Sequence, residues 1–307
     1  MALSGILSCS FSTSVMSNAI KNVTVVGAGL MGSGIAQVAA QAGNSVTLVE
    51  VNDAALQTGL GRIKTSLQKL TKKMSKEEGE KLLDSTLSRI KGSSKVEDSV
   101  GQSDLVIEAI VENMDVKHKL FTAVDKAAPP SAILASNTSS LSITEMASVT
   151  NRKNKFVGLH FFNPVPLMKL LEIIKTVDTS DETYNAVEEW GKAIGKVTIV
   201  CKDTPGFVVN RLLVPLLAEA MRMYERGDAS PRDIDTAMKL GAGYPMGPFE
   251  LADYVGHDTT KFIIDGWHKK FPENPLFKPV GALNKLVDEG KLGVKTGEGF
   301  YNYKKGK

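Results

Sequence analysis

Gly27, Gly29 and Gly32 stand between an apolar run at 23–26 and an alanine-rich helical stretch at 35–42, and a second apolar run ends in Glu50. Strand, glycines, helix, strand and acid in that order form the dinucleotide-binding fingerprint. Each part has a physical task. Gly27 permits the tight turn, Gly29 lets the backbone approach a pyrophosphate, and Gly32 allows the helix to pack closely on the strand. The anion then rests at the helix N-terminus, where unpaired N–H groups and the positive end of the dipole favour it. Glu50 lies 23 positions after Gly27, where an acid accepts hydrogen bonds from an adenosine ribose. Its charge repels a 2′-phosphate, and the following Val51, Asn52 and Asp53 provide no arginine to compensate. The cofactor expected is therefore NAD rather than NADP. The competing reading is a glycine-rich turn in some other βαβ unit.

Further along, apolar runs at 23–26, 46–50, 105–110, 132–135, 156–160, 170–174 and 197–200 alternate with helical patterns. Such alternation implies an α/β class, with a doubly wound, mostly parallel Rossmann-type sheet. After Cys201 the pattern becomes helical throughout: a long stretch ends in glycine, and Ser230-Pro231 opens another helix with a capping residue and a first-turn proline. With 307 residues, two domains are expected. The boundary falls near residue 203, giving an NAD-binding domain over 21–202 and an all-helical domain over 203–307. Small helical domains of this kind often carry homodimer contacts in two-domain dehydrogenases. The charged stretch 53–98 reads as a helical hairpin inserted into the first domain, with Lys64, Lys69, Lys72, Lys73 and Lys76 on it. A solvated helix face explains those lysines, and so does a phosphate-rich ligand lying against the hairpin.

Composition removes other classes. A net charge of +3 is too small to imply a nucleic-acid partner. Two cysteines, Cys9 and Cys201, build neither a disulfide framework nor a cysteine-based metal site, so no metal is expected. No apolar run is long enough for a membrane span. Residues 1–20 carry serines, threonine and small apolar residues with no acid. They fit an organelle-import leader, although they contain no arginine, and equally a disordered extension. The terminal Lys304-Lys305-Gly306-Lys307 is not a peroxisomal tripeptide.

The candidate chemistry gathers at 137–210. Asn137, Thr138, Ser139 and Ser140 follow a strand, and so belong at the carboxyl end of the sheet where ligands bind in open α/β folds. His160 ends another strand, and Glu172 follows 12 residues later. A histidine titrates near neutrality and can take the proton from a hydroxyl as hydride leaves the same carbon. A carboxylate on its other nitrogen fixes the tautomer and offsets the imidazolium charge. On sequence alone, His160 is as well explained by a ring packed beside Phe161 and Phe162.

Four blocks carry a resemblance: 136–140 (SNTSS), 158–166 (GLHFFNPVP), 203–211 (DTPGFVVNR) and 295–301 (KTGEGFY). Together they resemble the L-3-hydroxyacyl-CoA dehydrogenases of fatty-acid β-oxidation, over the chain from Val23 to Tyr303. The resemblance implies His160 as catalytic base with Glu172 as its partner, and Ser139 and Asn210 on the 3-oxygen of the substrate. It implies NAD contacts at Gly27, Gly29, Leu30, Met31, Gly32, Glu50, Asn137, Ser139, Asn163 and Lys295, with Glu112 and Lys117 on the nicotinamide side. On the hairpin it implies coenzyme A contacts at Ser66 and Lys73. The implied reaction is reversible NAD-dependent oxidation of an L-3-hydroxyacyl-CoA to the 3-ketoacyl-CoA by a homodimer in the mitochondrial matrix.

Two alternatives stay open. A dehydrogenase of short free β-hydroxyacids would have no use for the hairpin lysines. An NAD-binding protein that has lost turnover would have no chemical reason to keep Ser139, His160, Glu172 and Asn210 together.

Overall fold

The computed structural model describes residues 20–304, so the expected leader falls outside them except for Ile20. The elements run β1 (Asn22–Val26), α1 (Leu30–Gln41), β2 (Ser45–Val49), α2 (Asp53–Thr71), α3 (Lys76–Leu87), β3 (Ile90–Ser93), α4 (Val96–Ser99), β4 (Leu105–Glu108), α5 (Met114–Ala127), β5 (Ile133–Ser136), α6 (Ile143–Ala147), β6 (Phe156–Phe161), β7 (Leu170–Lys175), α7 (Asp181–Ala193) and β8 (Val197–Lys202). Five helices follow: α8 (Val209–Glu225), α9 (Pro231–Gly241), α10 (Pro248–Val255), α11 (His257–Lys270) and α12 (Gly281–Asp288). The chain divides into two compact units. One holds the described residues through Asn137 together with Met146–Val200; the other holds Thr138–Glu145 and the described residues from Cys201 onward.

In the first unit the strand order is β3-β2-β1-β4-β5-β6-β7-β8. The strands from β3 through β6 pair in parallel, and β6 with β7 is antiparallel. The order reverses between β1 and β4, which places the ligand crevice of such a sheet beyond the carboxyl ends of those two strands. Val25, Leu48, Leu105 and Ile107 fill the sheet core, and Ile35 and Ala39 of α1 pack on it. The backbones meet so closely here that side chains are excluded. A Cβ on Gly27, whose φ is +107°, would lie 2.4 Å from the Ala109 carbonyl oxygen, and one on Gly32 would lie 1.8 Å from that of Gly27.

The structure departs from the sequence reading at the hairpin. The two helices, α2 and α3, end at Leu87, and the chain then forms β3, an edge strand paired with β2. Its sequence, Ile90-Lys91-Gly92-Ser93, is short and half exposed and lacks the apolar run by which the other strands announce themselves. Both hairpin helices start on side-chain caps: Asn52 accepts from the Ala55 N–H, and Ser75 and Glu78 form a reciprocal capping box.

A second departure concerns Thr138–Glu145, which the sequence reading places in the first domain and which groups with the second unit. Asp203 is the reason. Its carboxylate accepts hydrogen bonds from the Ser142 hydroxyl and from the Ile143 and Thr144 N–H groups, capping the start of α6.

The second unit packs Leu217, Phe249, Ile264, Trp267 and Phe277 into its own core. Two buried aspartates hold its C-terminal segment. Asp253 accepts from His257 Nε2 at 2.6 Å, from the Phe300 and Tyr301 N–H groups and from the Tyr303 hydroxyl. Asp235 accepts from the Phe249 and Glu250 N–H groups and from the Tyr301 hydroxyl. Burial opposes ionisation of Asp253, but the hydrogen bonds from His257, the two backbone amides and Tyr303 outweigh it and hold the carboxyl below its ordinary 3.8.

Because this group titrates lower when folded than when unfolded, its stabilisation is complete above pH 3.8 and fades as pH falls through the folded value. Asp253→Asn is expected to cost about 2–4 kcal/mol at pH 7, since buried donors lose a charged acceptor. Denaturant unfolding should show that cost shrinking below pH 3.8. A cost that stays constant down to pH 3 would assign the loss to packing instead.

Candidate active site

At the switch point, Glu50 follows β2 and accepts a hydrogen bond from the Ala28 N–H at 3.1 Å, holding the glycine turn by its own backbone. Around them is a cavity of about 560 Å³ lined by Gly27, Gly29, Val49, Glu50, Ala109 and Ile110, among others. Nothing lies within 4 Å of where a Gly29 Cβ would stand, so this backbone is open to a ligand. Gly29 caps α1 without a side-chain bond, and the first N–H groups of the helix, from Leu30, Met31 and Gly32, have no acceptor within the helix. A backbone open at Gly29, unpaired helix amides and a carboxylate nearby fit a dinucleotide: pyrophosphate on the amides, ribose on Glu50.

The wall of that cavity from 109 to 111 is held from behind by Glu108, a carboxylate that sequence reading missed. Fully buried at the end of β4, it accepts from the Ile110 N–H at 2.7 Å, from Lys117 Nζ at 2.5 Å and from the Ser136 hydroxyl at 2.5 Å. Lys117 also reaches Glu112 at 3.1 Å. The Lys117 ammonium is thus buried between two carboxylates, and of the two expected contacts Glu112 is the more exposed. The only sequence signal for Glu108 is an acid closing an apolar strand.

His160 and Glu172 face each other directly in the antiparallel pairing of β6 and β7. Their side chains meet at 2.7 Å, Nδ1 to Oε2, with the carboxylate fully buried and the imidazole nearly so. Asn137 accepts the Phe161 N–H at 3.0 Å and so ties the end of β5 to the histidine strand. The histidine ring does lie beside Phe162, at 4.5 Å between centroids. Packing alone does not account for a buried carboxylate on Nδ1: in the neutral ring this fixes the proton there and leaves the lone pair on Nε2. That is the arrangement of an oriented general base.

A larger cavity of about 840 Å³ lies between α1, α2 and the turn at 163–167. Ser66 and Lys73 line it, as expected, together with Lys69 of the hairpin lysines and Arg62, which sequence reading did not single out. Leu30, Leu70, Val165 and Leu167 supply an apolar side. Asn163, expected at the cofactor, also lines this cavity. In the second unit, the Asn210 amide approaches the Ser139 carbonyl oxygen at 3.4 Å. Lys295 lies in the same unit, its ammonium on Asp258.

Residues 22–204 match the family model for the 3-hydroxyacyl-CoA dehydrogenase NAD binding domain, and 206–303 match that for the 3-hydroxyacyl-CoA dehydrogenase C-terminal domain. The chain is 58% identical to the human mitochondrial hydroxyacyl-coenzyme A dehydrogenase, covering 93% of this chain and 92% of that one. It is 56% identical to a probable 3-hydroxyacyl-CoA dehydrogenase of Caenorhabditis elegans, covering 95% and 96%. Among solved structures it resembles the (S)-3-hydroxybutyryl-CoA dehydrogenase of Ralstonia eutropha, with a TM-score of 0.89 at 45% identity, covering 94% of this chain and all of that one.

Glu50→Ala is expected to weaken NAD binding by about 1–3 kcal/mol through lost charged hydrogen bonds, and to narrow the preference over NADP. Calorimetric titration of both cofactors checks this; equal affinity for NADP in the unaltered chain would contradict the role given to Glu50.

Proposed function

The chain belongs to the 3-hydroxyacyl-CoA dehydrogenase family, and from that premise we propose that it oxidises L-3-hydroxyacyl-CoA to 3-ketoacyl-CoA with NAD, reversibly, within fatty-acid β-oxidation. The observation that carries the chemistry is the buried His160–Glu172 pair. Oxidation removes a hydride from C3 and a proton from its hydroxyl. Bound NAD supplies the acceptor for the hydride. His160 takes the hydroxyl proton at Nε2, and Glu172 holds the ring in the tautomer able to do so and offsets the positive charge that results. In reduction the same nitrogen returns the proton. Ser139 and Asn210 hold the 3-oxygen by hydrogen bonds, and Asn137, by fixing the Phe161 N–H, keeps the histidine strand in place.

The larger cavity suits the rest of the substrate. Arg62, Lys69 and Lys73 offer cations to nucleotide phosphates, and the apolar side matches a pantetheine arm. A free β-hydroxyacid would leave this cavity unused. Large apolar side chains stand exposed on four helices of the second unit, Leu212 on α8, Leu240 on α9, Tyr254 on α10 and Phe262 on α11. Exposed apolar surface of this kind supports a homodimer formed through that unit. Mammalian relatives named as mitochondrial support placement in the mitochondrial matrix. No helix among the described residues is long and apolar enough to cross a membrane.

NADH formation on short- and medium-chain 3-hydroxyacyl-CoAs tests the activity. His160→Ala should lower kcat/KM by about a hundredfold to ten-thousandfold, and Glu172→Gln by a comparable or smaller factor, with NAD affinity kept. Undiminished turnover in Glu172→Gln would remove it as the partner of the base.

The dimer is tested by sedimentation: Leu240→Glu with Phe262→Glu should shift the protein toward monomer, and an unchanged sedimentation coefficient would place the interface elsewhere.

A further inference from the structure

Lys196 is a buried cation with an uncommon set of partners. It follows Gly195, which closes the turn after α7 at φ +80°, and its side chain runs inward. Its ammonium donates to the carbonyl oxygens of Val165 at 2.5 Å and Met168 at 2.8 Å, and lies 5.9 Å from the centroid of the Phe161 ring. Among the described residues no carboxylate pairs with it. Burial disfavours the charged form and lowers the pKa of this lysine. A methionine would fill the space without that penalty, so what the lysine adds is its N–H donors.

Both carbonyls belong to one turn. The Leu167 and Met168 N–H groups bond back to the Pro164 carbonyl, and the neighbouring Val197 N–H bonds to the Lys169 carbonyl. The segment 196–197 therefore grips the turn at three successive points, 165, 168 and 169. One face of this turn forms the wall of the larger cavity, and it packs tightly: a Cβ on Gly34 of α1 would lie 2.8 Å from the Val165 Cβ. The turn has no ladder partner of its own. The bonds from 196 and 197 tie it to the start of β8.

We propose that Lys196 is a positioning residue for acyl-CoA binding: its ammonium, clamped on the Val165 and Met168 carbonyls, fixes the 163–168 turn as the cavity wall against which the substrate's pantetheine arm lies. This rests on the reading of that cavity as the acyl-CoA site. The lysine does not touch substrate. Its removal leaves two buried carbonyls without donors, and the turn relaxes toward water at the expense of the cavity. The glycine turn and Glu50 belong to other elements and only Asn163 of the expected NAD contacts lies on this turn, so the loss falls mainly on coenzyme A.

The test compares the unaltered chain with Lys196→Met and Lys73→Ala, measuring KM for acetoacetyl-CoA and NADH and direct calorimetric binding of coenzyme A and of NAD. Lys196→Met should raise KM for acetoacetyl-CoA and weaken coenzyme A binding by roughly tenfold, with NAD affinity and NADH KM within about twofold. Because a merely structural lysine would lower stability without separating the two ligands, this split is the deciding readout. Normal coenzyme A binding by Lys196→Met alongside weakened binding by Lys73→Ala overturns the proposal and leaves the cavity reading standing. Normal binding by both variants overturns the cavity reading and the proposal with it. Equal losses for both ligands in Lys196→Met also overturn the positioning role. Should Lys196→Met fail to fold, Lys196→Gln, a neutral side chain that still donates, is read in the same way, with a smaller rise in KM expected.

Discussion

The first unit depends on an approach of three backbones that leaves no room for side chains. Gly27 closes β1 against Ala109 after β4, and Gly32 brings α1 down onto Gly27. With a methyl group at either glycine, helix and strands must part, and the helix amides no longer open at the point where the strand order reverses. Everything that follows uses this junction as its origin: α2 packs Gly59 onto Ala28, and Glu50 grips the same turn from the other side. The crevice at the switch point is thus opened by glycines, where sheets of this kind bind their ligands.

Away from the glycines the fold uses one device repeatedly, a buried or half-buried carboxylate that gathers the donors of an irregular segment. Glu108 collects Ile110, Lys117 and Ser136 behind the crevice wall. Asp203 collects the start of α6, and Asp253 collects the C-terminal segment. Lys196 is the same device with the sign reversed, a buried cation gathering carbonyls. Loops are the parts of a protein with the fewest backbone partners, and a charge taken out of water holds them firmly only when each of its hydrogen-bonding sites is used. Glu108 in this way fixes the backbone that walls the crevice.

How far the sequence was legible follows from the same physics. The glycine turn, the apolar strands and the helical second half could be read because each carries a local pattern. The strand β3 could not, since Ile90-Lys91-Gly92-Ser93 is an edge piece whose strand character comes from pairing with β2. Thr138–Glu145 was assigned by chain order to the first domain, whereas one carboxylate 58 or more positions later, Asp203, draws its end into the second unit. On its own residues His160 read equally as a packed ring, and the base role came from resemblance; that it faces Glu172 is a property of register that spacing suggests but does not determine. Ser66 and Lys73 came from resemblance; that Arg62 and Lys69 share their cavity required the packing of α2 against α1. Lys117, a nicotinamide-side contact by resemblance, is buried between Glu108 and Glu112, which no local pattern indicates.

The antiparallel pairing of β6 with β7 has a consequence for change over time. His160 and Glu172 stand opposite each other because of strand register, while the chain between them, at 162–169, leaves the sheet and returns. Residues can be gained, lost or exchanged in that excursion without altering which side chains face each other. A single-residue slip within either strand would turn one partner to the other face of the sheet. The facing of His160 and Glu172 is therefore inherited through the ladder, and the connecting stretch, which lines the larger cavity, is free to diverge while that pair stays as it is.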